Sequence, residues 1–84
     1  MNDKKIKVER VQTGVRIEKR MLKVLKAIAE YHDMSLGDLL EGIVLHALEG
    51  QSPFNEAAIK RIDALRDFYE MDYNTSAAHQ FIEE

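Results

Sequence analysis

Residues 11–17 alternate with a period of two and lead straight into two helical segments. Val11, Thr13, Val15 and Ile17 fall on one face, and Arg10, Gln12, Gly14 and Arg16 on the other. A one-residue slip would exchange the faces, so the pattern specifies a register. A lone strand followed by helices cannot close its own hydrogen-bond ladder, and its cheapest partner is the same segment of a second copy. The pattern therefore predicts an intermolecular antiparallel ribbon, with the apolar face toward the helices and the polar face toward solvent or a ligand. A two-stranded ribbon is the right size for a DNA major groove.

The first helix is expected from Glu18 to about His32. Met21, Leu22, Leu25, Ile28 and Ala29 form its apolar stripe, opposite Lys19, Lys23 and Lys26. Lys19 and Arg20 put positive charge at the helix N-terminus, which costs about 0.5 kcal/mol and is easier to understand if an anion docks there. Ser35 is a strong N-cap for the second helix, with Asp38 three residues on, Met34 placed to staple onto Leu39, and Gly50 as a left-handed stop. Leu36, Leu39, Leu40, Ile43, Val44, Leu45, Ala47 and Leu48 cover far more than one stripe of that helix. Two other elements of one copy cannot bury it all, which is a separate argument for a dimer. A third helix is expected from Pro53 at its first position, with Phe54, Ala58, Ile62, Leu65 and Tyr69 as a narrow stripe. It fades near residues 71–74, and Thr75 is placed to cap a last short turn. The expected layout is a disordered arm (1–5), a strand-helix-helix domain (6–50) and a C-terminal helical extension (51–84).

Eighty-four residues without cysteine exclude disulfide or thiolate-metal staples and leave oligomerisation as the natural reinforcement. No apolar run suggests a signal peptide or membrane span, so a cytoplasmic protein is expected. The net charge of −3 hides a strong asymmetry. Residues 1–26 hold nine Lys/Arg against three acids, net +6, whereas residues 35–84 hold three against ten, net −7. Phosphate binding responds to the local field within a Debye length of about 8–10 Å, not to total charge.

Three features together resemble the ribbon-helix-helix (Arc/MetJ-like) superfamily of bacterial and phage repressors and antitoxins. They are Val15-Arg16-Ile17 entering the first helix, the 19-residue step from Arg16 to Ser35, and Ser35-Leu36-Gly37-Asp38-Leu39-Leu40 opening the second. The resemblance covers about residues 6–50, and short bacterial proteins share strings such as Leu36–Gly42. It implies a mainly α ribbon-helix-helix homodimer, with one intermolecular antiparallel β-strand, two helices and here an added C-terminal helix. It also implies sequence-specific DNA binding by a transcriptional regulator whose paired strands enter the major groove. The outward positions that would meet base edges are Gln12, Gly14 and Arg16. Arginine can grip guanine and glutamine adenine in a bidentate way, each discriminating by about 1–3 kcal/mol. Phosphate contacts would come from Arg10, Lys19, Arg20 and Lys23, and from the start of the second helix at Ser35, Leu36 and Gly37. The dimer core would comprise Val11, Val15, Ile17, Leu25, Leu40, Ile43 and Val44.

Gly14 stands where the family carries a polar reader, and Asp38 and Glu41 lie near the phosphate clamp. Arg16 and Gln12 thus read either as base contacts or as an ordinary solvated strand face. The second function class is an antitoxin or adaptor whose acidic residues 51–84 bind a partner protein. His32, His46 and His79 lack metal-ligand spacing, and no nucleophile or phosphate-loop motif is present, so neither metal, cofactor nor catalysis is expected.

Overall fold

The computed structural model describes residues 5–84, and among them all regular structure is helical. Three α-helices, α1 (Lys19–Tyr31), α2 (Leu36–Leu48) and α3 (Glu56–Phe68), precede a short 3₁₀ turn, η1 (Thr75–Ala77). Most of the expected N-terminal arm, residues 1–4, lies outside the described residues.

The ribbon-helix-helix homodimer, with its intermolecular β-strand ahead of two helices, is not the architecture observed. Residues 5–18 form neither strand nor helix. Alternation decides which side chains share a face but supplies no partner for the backbone N–H and C=O groups. No other described segment pairs with residues 11–17, and Gly14 in their midst adds backbone entropy with no side chain to pack. Val11 and Val15 accordingly stay 78% and 74% exposed.

Each helix begins where a side chain can accept one of the unpaired N–H groups of its first turn. Glu18 caps α1 by accepting from Met21 N at 3.0 Å, and Ser35 Oγ caps α2 by accepting from Asp38 N at 3.1 Å. Helix α3 starts at Glu56, not at Pro53 as the sequence suggested. Asn55 Oδ1 accepts from Ala58 N at 2.8 Å, while Ser52 Oγ bonds the backbone of Phe54 and holds Pro53 in a turn. All three helices end alike. The residue after the C-cap bonds back three residues and the next one five, as Asp33 to Glu30 and Met34 to Ala29 do after α1. This places Asp33 (φ 56°), Gly50 (φ 70°) and Glu70 (φ 58°) in the left-handed region, which only the glycine adopts without steric cost.

Helix α1 is the centre of the fold and packs against both α2 and α3. Val24, Ile28 and Ala29 of α1 and Leu39 of α2 are buried, at 4–6% exposure. Leu25, Ile43, Phe54, Ile62, Leu65, Tyr69 and Met71 pack around them, so α3 completes the core of the two preceding helices. The Arg61 guanidinium lies 4.1 Å from the centre of the Tyr31 ring and ties α3 to the far end of α1. This core is thin for the chain length. The radius of gyration, 14.7 Å, exceeds the roughly 12 Å of a compact domain of this size. The outer surface of α2 stays open, with Val44, Leu45 and Leu48 at 50%, 63% and 77% exposure. Among the described residues no helix is long and apolar enough to cross a membrane.

Candidate nucleic-acid interface

The basic quarter of the chain consists of the irregular residues 5–18 and the exposed side of α1. Gln12, Gly14 and Arg16 are all exposed, as are Lys19, Lys23 and Lys26. A segment without its own secondary structure places these groups loosely, and its position comes from two anchors. One is at Arg10, whose Nε and Nη2 donate to Glu41 Oε2 and Oε1 of α2, both at 2.9 Å. This two-point bond lays residues 8–10 beside Leu40, Val44 and Leu45 in a shallow cleft. It also raises the affinity of Arg10 for its proton and lowers the pKa of the Glu41 carboxyl.

The second anchor is the start of α1, where Ile17 and Glu18 are half-buried. Partial burial of Glu18 opposes ionisation. The Tyr73 hydroxyl at 2.5 Å, the Arg20 guanidinium at 3.0 Å and the backbone N–H groups of Arg20 and Met21 outweigh it and hold the carboxyl down to about 2. Burial and the bond to Glu18 push the Tyr73 phenol up to about 12. The adverse charge of Lys19 and Arg20 at this helix end is thereby answered by a carboxylate of the chain itself. Arg20 goes further, donating to Glu70 O at 3.0 Å and Asp72 Oδ1 at 3.1 Å, with its guanidinium 5.3 Å from the Tyr73 ring centre. Arg66 Nη2 donates to Tyr73 O at 2.5 Å and holds the segment after α3 in place.

Tyr73→Phe is expected to cost about 1–2 kcal/mol at neutral pH, because it removes a hydrogen bond to a charged acceptor. A carboxyl whose folded pKa is depressed stabilises fully above its ordinary value of 4.5 and loses that contribution as pH falls through about 2. The deficit of the variant should therefore shrink across that window in urea unfolding followed by circular dichroism. An equal deficit at acid and neutral pH would place the stabilisation elsewhere.

Of the arginines expected to contact DNA, Arg10 thus faces Glu41, Arg20 faces Glu18 and Asp72, and Arg16 pairs with Glu83. Ser35 is committed to capping α2, Leu36 is half-buried and Gly37 exposed, and Asp38 already brings negative charge to that helix end. Of the expected dimer-core residues, Leu25 and Ile43 pack on the chain's own core. Leu40 and Ile17 are half-buried, while Val11, Val15 and Val44 are exposed. Among the described residues no group of three or more His, Cys, Asp or Glu is placed to hold a metal ion.

Sequence reasoning placed Glu41 beside the phosphate clamp but missed it as the partner of Arg10, and it missed Glu18, Asp72, Tyr73 and Glu83 as partners of the other cations. The signal for them was the charge asymmetry itself, since a +6 end and a −7 end in one small domain attract each other. No family model matches the chain, and neither does any curated protein or solved structure.

Proposed function

We propose that the chain is a cytoplasmic, DNA-binding transcriptional regulator that works as a homodimer. Arg10, Lys19, Arg20 and Lys23 contact phosphates, and Gln12 and Arg16 reach base edges. With no ribbon present, the reading is supported by charge and exposure alone. The observation that carries it is the concentration of eight of the twelve Lys/Arg in the described residues 5–26, on an irregular segment and on α1, where only Arg20 among them is half-buried. A segment without regular structure that carries basic side chains is thin enough to follow a groove, as minor-groove arms do. Self-association is supported by the apolar side chains of α2 and of residues 6–15 that one copy leaves in water.

Selection of duplexes from a random pool at about 50 and about 200 mM salt tests this reading. An enriched motif, lost in Arg16→Ala, and affinity that falls steeply with salt are expected. Failure to retain any duplex at the lower salt would refute it. A second reading, a protein-interaction module, is favoured by the exposure of Phe68, Phe81 and Ile82 in the acidic C-terminal part. A defined partner that binds the full chain, but not a Phe81→Ser/Ile82→Ser variant, would support it.

A further inference from the structure

We infer that the acidic C-terminal tail, residues 70–84, is an intramolecular competitor of DNA for Arg16 and Arg20. This inference rests on the DNA-binding reading and adds its regulation. Five ion pairs occur among the described residues, and four of them engage Arg10, Arg16 or Arg20. Two of the carboxylates, Asp72 and Glu83, belong to the tail. That segment contains four acids and no Lys or Arg.

The tail is held in position by more than charge. Tyr73 Oη donates to Glu18 at 2.5 Å at the head of α1, and Arg66 grips the Tyr73 carbonyl. Asn74 caps η1 by accepting from Ser76 N at 3.0 Å, and the η1 turn sends the chain back so that Phe81 meets the Tyr73 ring edge-on at 5.1 Å. The next two residues then bring Glu83 to Arg16. A folded strap thus ends in a carboxylate against Arg16, one of the side chains proposed to meet DNA.

The strength of the contact suits competition and not permanent closure. The Arg16 and Glu83 side chains are 85% and 65% exposed, and such pairs contribute little to folding. Their ends are nonetheless tethered, so the carboxylate is present at a high effective concentration. A duplex, which offers many phosphates and releases counterions, displaces it when salt is low.

The test uses the full chain, with Glu83→Gln/Glu84→Gln as the variant. Glu49→Gln/Glu56→Gln serves as the control, because it removes the same charge from exposed positions that form no ion pair among the described residues. The tail variant should bind duplex DNA about three- to fivefold more tightly than the control at about 50 mM salt, and the advantage should fade by about 200 mM. In the wild type, duplex should shift the Ile82 methyl resonance toward its position in Arg16→Ala. Duplex binding with an unmoved tail and no gain over the control would overturn the competitor and leave the DNA reading standing. Absence of duplex binding by every variant would remove both.

Discussion

Leu39→Ala is expected to destabilise the domain by about 2–4 kcal/mol, the largest single-residue effect on folding. Leu39 is the one buried residue of α2, at 6% exposure, and it clusters with Val24, Ile28 and Ala29 of α1. Removing three carbons there loses transfer free energy and leaves a void that a thin core has few neighbours to refill. A small domain has only about 5–15 kcal/mol in total, so the loss is a substantial share. Phe68→Ala is the matching control, because that larger side chain is 75% exposed and should change stability by less than about 0.5 kcal/mol. Urea unfolding of the two variants checks the pair. Similar losses for both would mean that the core does not lie between α1 and α2.

Leu45→Lys is expected to leave the helices intact yet raise the dissociation constant of the proposed dimer by about 30-fold or more, the size of effect that loss of a central interface side chain has. Leu45 is 63% exposed in one copy and lies between Val44 and Leu48 on the open surface of α2. Lysine is a good helix former, so the change strikes self-association and not local structure. Sedimentation velocity at micromolar concentration should show a dimer for the wild type and a monomer for the variant, with unchanged far-UV circular dichroism. A dimer's melting temperature rises with protein concentration, and that dependence should vanish in Leu45→Lys. Monomeric wild-type protein would mean that the open surface of α2 is not a self-association site.

What could be read from the sequence was mostly local. The caps Ser35 and Gly50 mark the ends of α2 where the structure has them, and the stripe from Met21 to Ala29 defines α1. The stripe of Phe54, Ile62, Leu65 and Tyr69 packs on the chain's own core. The third helix starts three residues late because Asn55 has a side-chain acceptor within reach of Ala58 N, whereas Pro53 only tolerates a helix start. The strand over 11–17 failed for a different reason. A helix closes its hydrogen bonds within itself, but a strand is completed by another backbone, and alternation carries no information about whether one is there. At the candidate interface the exposed cations were legible and their counter-ions were not. Glu41 lies 31 residues from Arg10, and Tyr73 lies 55 from Glu18, distances over which no periodicity speaks.

Equilibrium sedimentation of the full chain with a fluorescent duplex at about 50 mM salt decides whether this protein binds DNA as a dimer. The expected result is a labelled species whose mass is that of the duplex plus an even number of chains, returning to free duplex as salt is raised. A duplex that sediments alone at every salt concentration, beside a chain of single mass, would contradict it.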